Sequence, residues 1–156
     1  MRRSNVRPFR RKSTGKALIE VGGPIAESGA TLCAYGADLR PEDVTALLGV
    51  TPTRSWCRGD RRKPHSAPAT EGGWILEVRG KAPHGPEIQL ATLLAKLPET
   101  NAVWEELNRR YRTTLTFGLH MSGWNQGFEL SRELITRIQR LGVGVNFDIY
   151  AYGDDA

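Results

Sequence analysis

The sequence predicts an α+β protein, a ferredoxin-like sandwich whose four- to five-stranded, mainly antiparallel sheet carries its helices on one face. Three observations lead there. Residues 113–121 and 145–151 alternate apolar and polar side chains at a period of two, the mark of half-buried strands. Between them, and before them, lie runs whose apolar residues recur at helical spacing. Finally, TLCAYG, a helical run and LLGV (31–50) are echoed by TLTFG, a helical run and RLGV (114–143). Each half reads strand–helix–strand, and two such units share one sheet.

The elements follow in order. Residues 31–36 form a short first strand. Residues 41–48 form a helix: Pro41 suits the first helical position, Glu42 and Asp43 complement the positive end of the dipole, and Gly49 stops it. A second strand spans 53–58, with Trp56 packing into or beside the core opposite Trp74. A third spans 73–79, where Trp74, Leu76 and Val78 alternate with Glu77 and Arg79. GDRRKPHSAPATEGG between them lacks any period and is expected to be a mobile loop. Helices at 87–97 and 102–111 precede the strand at 113–121. Ser131 caps a last helix carrying Leu134, Ile135, Ile138 and Leu141, which Gly142 ends, and the strand at 145–151 closes the fold. The helices are expected to cover the face made by Phe117, Leu119, Phe147 and Ile149.

Charge divides the chain. The net charge is +5, from 22 Lys and Arg against 17 Asp and Glu. Residues 1–16 hold seven cations and no acid, leaving 15 cations against 17 acids in the rest. Residues 1–29 therefore read as a basic, flexible N-terminal tail, and 30–156 as a single α+β domain. No run of about 20 apolar residues exists to span a membrane, and the N-terminus makes a poor secretion signal. Cys33 and Cys57 show no paired spacing and read as reduced thiols, which places the protein in the cytoplasm.

Chemistry is sparse. His65, His84 and His120 lack metal-ligand spacing, and no phosphate loop or nucleophile elbow is present, so no catalytic residue, metal or cofactor is assigned. A third reading, an enzyme, uses Cys57, or His120 with Asp148. The sheet offers a better surface: with one face under helices, the other presents Tyr35, Thr116, His120, Asp148 and Tyr150, which suit a protein partner. A plain solvated face is the alternative. A second candidate is phosphate contact to RNA, DNA or a ribosome through Arg2, Arg3, Arg7, Arg10, Arg11 and Lys12 of the tail, with Arg58, Arg61, Arg62 and Lys63 of the hairpin tip. The alternative for the tip is a charged, solubilising turn.

LRPEDVTALLGVTPTRSWCRGD, GGWILEVRG and LGVGVNFDIYAYG together resemble a bacterial family known only as domain of unknown function 4279. The family pattern falls on Leu48-Gly49, Pro52-Thr53, Gly59-Asp60, Trp74 and Asp148-Ile149-Tyr150, within residues 31–153. Arg40, where an acidic cap is usual, and the basic tail depart from it. The resemblance implies no reaction, and only loosely an immunity role. The expectation is a non-enzymatic, cytoplasmic protein that docks on another protein, immunity-like or regulatory, with nucleic-acid or ribosome association as the alternative.

Overall fold

The computed structural model describes residues 23–123 and 125–151. Nine elements run in the order β1 (Glu27–Gly36), α1 (Pro41–Leu48), β2 (Arg54–Trp56), β3 (Gly72–Lys81), α2 (Pro86–Leu94), α3 (Asn101–Arg110), β4 (Arg112–Met121), α4 (Arg132–Leu141) and β5 (Gly144–Ala151). One five-stranded sheet has the order β2-β3-β1-β4-β5. Its β2–β3, β3–β1 and β1–β4 pairings are antiparallel, and β4–β5 is parallel. The α+β reading and the mainly antiparallel sheet hold; the parallel edge makes the sheet mixed. The two echoing segments differ in pairing, because β3 separates β1 from β2 whereas β4 and β5 are neighbours.

Local chemistry sets the helix ends as the residues suggest. Pro41 opens α1, and Gly49 closes it at φ 69°, its N–H donating to the Thr45 carbonyl. Gly142 ends α4 at φ 62°, a left-handed geometry that glycine enters without a Cβ penalty. At the other end of α4 the Ser131 hydroxyl accepts from the Leu134 N–H at 3.2 Å.

The core lies between the sheet and the helices. Ala30 and Leu32 of β1, Trp74 and Leu76 of β3, and Leu115, Phe117 and Leu119 of β4 meet Val44, Leu90, Leu93, Trp104, Leu107 and Leu141 from all four helices. Asn108 of α3 locks the far corner. Its Nδ2 donates to the carbonyls of Leu141 (2.8 Å) and Gly142 (3.3 Å), and its Oδ1 accepts from the Thr113 hydroxyl. One side chain thereby satisfies the end of α4 and fixes the start of β4.

Three expectations are corrected, and one lies beyond the described residues. The fold begins before residue 30: β1 starts at Glu27, Ile25 is buried, and Gln126 Nε2 donates to the Pro24 carbonyl at 2.6 Å, so 23–29 are part of the domain despite their breakers. Arg2, Arg3, Arg7, Arg10, Arg11 and Lys12 of the expected tail lie outside the described residues. Trp56 lies on the other face of the sheet from Trp74, because it pairs with Gly73, one step out of phase. Finally, Phe147 and Ile149 share the helix-bearing face but lie open, since α4 leans on α2 and α3 instead of covering β5.

The segment between β2 and β3 is a hairpin tip held by named bonds. Gly59 N–H donates to the Ala69 carbonyl and Ala69 N–H to the Asp60 carbonyl, both at 2.8 Å, and Arg61 Nη1 reaches the Ser66 carbonyl at 2.6 Å.

Candidate functional site

Register assigns the residues of the face that carries no helix among the described residues. Thr31, Cys33 and Tyr35 of β1 stand beside Ile75 and Glu77 of β3, Thr114, Thr116, Gly118 and His120 of β4, and Asn146, Asp148 and Tyr150 of β5. Tyr35, Thr116, His120, Asp148 and Tyr150 therefore share one face, as expected, but they do not form one site. Tyr35 pairs with Arg112 while His120 pairs with Glu27, eight residues away along β1. At about 3.3 Å per residue the two ends are roughly 26 Å apart.

The far end is a small polar–aromatic group. His120 stacks on Tyr150 with ring centroids 4.7 Å apart and planes within 10°. Asp148 is exposed beside them, and Lys81 approaches Glu27 at 3.7 Å. Thr116, opposite Thr31, occupies the middle of the face.

The near end is denser and cationic. Trp56 of β2 lies over Gly73, 6.2 Å from Tyr35 between centroids, and its indole N–H donates to the Glu71 carbonyl at 3.1 Å. Gly73 is what lets the ring down: a Cβ there would stand 2.5 Å from indole Cε2 and closer still to Cζ2. Arg62 places its guanidinium 4.8 Å above the Trp56 ring, and Arg112 places its own 5.6 Å from the Tyr35 ring while pairing with Glu71 at 2.9 Å. Arg54 adds its field to Cys33 and Tyr35 from the edge strand.

Beneath this layer Cys33 stands two residues along β1 from Tyr35, on the same face, and the two side chains influence each other's ionisation. Burial, then the interaction with Cys33, pushes the phenol up to about 12. Burial also pushes the Cys33 thiol above its ordinary value, outweighing the influence of Tyr35 and the Arg54 charge, which favour the thiolate. Both groups stay protonated at neutral pH, so they pack rather than attack. Cys57, whose N–H donates to Asp60 Oδ2 at 2.8 Å, follows β2 at this same end, far from His120 and Asp148. Of the residues in the enzyme reading, His120 and Asp148 stand near one another on adjacent strands, while Cys57 lies at the opposite end of the face. Among the described residues no group of three or more His, Cys, Asp or Glu is arranged to hold a metal ion.

Arg58, Arg61, Arg62 and Lys63 crown the adjacent hairpin and are exposed. None takes part in the ion pairs among the described residues. They continue the cationic end of the face rather than forming a separate tip.

Arg54 and Arg112 were not singled out from the sequence, and Trp56 was read as packing into or beside the core. Gly72-Gly73 at the head of a strand was the available signal, since glycine inside a strand marks close approach by something bulky. No curated protein and no solved structure matches the chain. Among the described residues no helix is long and apolar enough to cross a membrane. A profile of the family described as Domain of unknown function (DUF4279) matches residues 26–152, which spans all nine elements from β1 to β5, and the chain belongs to that family.

Proposed function

We propose that the protein is a non-enzymatic, cytoplasmic binding protein that docks on another protein through its uncovered sheet face, in an immunity-like or regulatory role. The observation that carries this reading is the Tyr35–Trp56 pair ringed by Arg54, Arg62 and Arg112. Tryptophan, tyrosine and arginine are the residues in which interface energy concentrates, and here they are preorganised by stacking on a rigid sheet. Their charge selects an acidic partner surface. The test is affinity capture with the full chain, nuclease-treated, beside Trp56→Ala and Arg54→Glu. One acidic protein, retained by the full chain and lost with both variants, supports docking. Retention by the variants, or turnover of a substrate by the purified protein, sinks it.

The exposed cations Arg58, Arg61, Arg62 and Lys63, which join no ion pair among the described residues, favour a second reading, contact with single-stranded nucleic acid or a ribosome. Each phosphate contact would contribute about −0.7 to the log–log salt slope of binding. A slope unaffected by replacing those four residues with Ser would remove this reading.

A further inference from the structure

Among the described residues the sheet ends at β2 and β5, and these two edges are built differently. The β2 edge is three residues long, carries Arg54 and runs at once into the charged hairpin. Such short, charged edges are how proteins discourage strand addition. The β5 edge is eight residues long, without proline, and its one charge is Asp148. A strand in parallel pairing is ordinarily covered on both faces. Here every residue of β5 is exposed, including Val145 (38%), Phe147 (50%) and Ile149 (60%) on the helix-bearing face and Tyr150 (47%) on the other. Phe147 lies stacked on the buried Phe117 at 5.2 Å, so the strand is a firm platform rather than a loose end.

We infer that β5 pairs antiparallel with β5 of a second copy about a two-fold axis through Phe147, joining two sheets into one of ten strands. The sequence of β5 selects this register. A two-fold axis normal to the sheet keeps both helix layers on one side only when the two position numbers sum to an even value. With Phe147 opposite Phe147, residues 144–150 overlap, Val145 faces Ile149, and Asn146 faces Asp148 at both symmetric positions. Centring on Asp148 gives an overlap of the same length, 145–151, but sets Asp148 against Asp148, and like charges directly opposite destabilise a pair. Centring on Asn146 or Ile149 shortens the overlap to 144–148 or 147–151. The self-complementary register is thus the longest one free of charge conflict, as an isologous interface requires.

Its size sets its strength. The four exposed apolar and aromatic side chains offer roughly 350 Å² per copy, taking aromatics at ~200 Å² each. That is under half of the ~800 Å² per partner of a standard interface, so the dimer is a weak one, in the micromolar range or above.

Sedimentation equilibrium of the full chain across that range reads the monomer–dimer equilibrium directly. Asn146→Lys, which sets two lysines against Asp148, should tighten it, and Asn146→Asp should loosen it, each by roughly two- to thirtyfold. In a Cys57→Ser background, Phe147→Cys should cross-link to its own counterpart under mild oxidation. Ile149→Cys, whose counterpart lies four residues along the opposing strand, should not. A full chain that stays monomeric at several hundred micromolar overturns the inference, as does a pair of Asn146 variants that shift the equilibrium the same way. Monomer with β5 amides protected from hydrogen exchange also overturns it.

Discussion

Gly73→Ala tests the architecture of the cationic end. The added methyl would enter the Trp56 ring, where Cε2 and Cη2 stand 2.5 and 2.8 Å from an ideal Cβ, against an ordinary contact of at least 3.4 Å. The indole must lift by about 1 Å or more, because the strand beneath it is paired on both sides and cannot yield. Lifting it forfeits the N–H bond to the Glu71 carbonyl, about 0.5–1.5 kcal/mol, and weakens the contact with Tyr35, worth a similar amount. The Arg62 cation–π contact, exposed and worth ~0.5–1 kcal/mol, goes with them. Replacing glycine stiffens the unfolded chain and returns about 0.4–1 kcal/mol. The net loss is ~1–3 kcal/mol, which in a domain of this length lowers Tm by roughly 2–10 °C. Urea unfolding of Gly73→Ala, Trp56→Ala and the double variant gives the decisive comparison. With the ring gone there is nothing to strike, so Gly73→Ala should cost nothing, or stabilise slightly, in the Trp56→Ala background. Additive losses would show that the clash with Trp56 is not the cause and would refute the placement of that ring.

Two other predictions concern single groups. Asn108→Ala should cost about 1–3 kcal/mol in chemical denaturation, because the Leu141 and Gly142 carbonyls lose their donor; Asn108→Asp should cost more, since its carboxylate faces those same carbonyls at the negative end of α4. An Asn108→Asp variant as stable as wild type would refute that arrangement. In the alkaline range, Tyr35 holds its proton to about 12 in the fold against an ordinary 10. Between those values the unfolded chain binds fewer protons than the folded one, so this contribution to stability is complete below pH 10 and drains away as pH rises to about 12. Tyr35→Phe should flatten that part of the stability–pH curve, and an ultraviolet titration should lose its latest-ionising phenol.

Much of this could be read from the residues because local chemistry and tertiary structure agree. Pro41 and Gly49 bound α1, Ser131 and Gly142 bound α4, and the alternation Leu115, Phe117, Leu119 names the buried face of β4. Periodicity tells which residues share a face, not what covers it. Val145, Phe147 and Ile149 alternate as cleanly as the residues of β4, yet lie open because α4 settles on α2 and α3. Trp56 illustrates the other limit. A tryptophan beside a glycine-rich strand suggests core, and only the pairing of Trp56 with Gly73 puts it across the sheet from Trp74. Face depends on register, and register is set by strands distant in sequence.

The edge and the open face bear on each other. Pairing through β5 leaves both uncovered faces on the same side of a single sheet, with His120 and Tyr150 of each copy one strand in from or at the seam. The Tyr35 strands would then be five strand spacings apart, roughly 24 Å, with the cationic ends pointing in opposite directions along the strands. A partner with one acidic patch gains nothing from such a pair. A symmetric or repetitive acidic partner engages both ends, and the second contact becomes intramolecular, raising affinity by up to ~10²–10⁴ without any new kind of contact. Asn146→Asp separates the cases, because it weakens self-pairing while leaving Tyr35, Trp56 and the arginines untouched. Binding that falls steeply in that variant identifies a bivalent partner; binding that stays constant identifies a partner that reads one face alone.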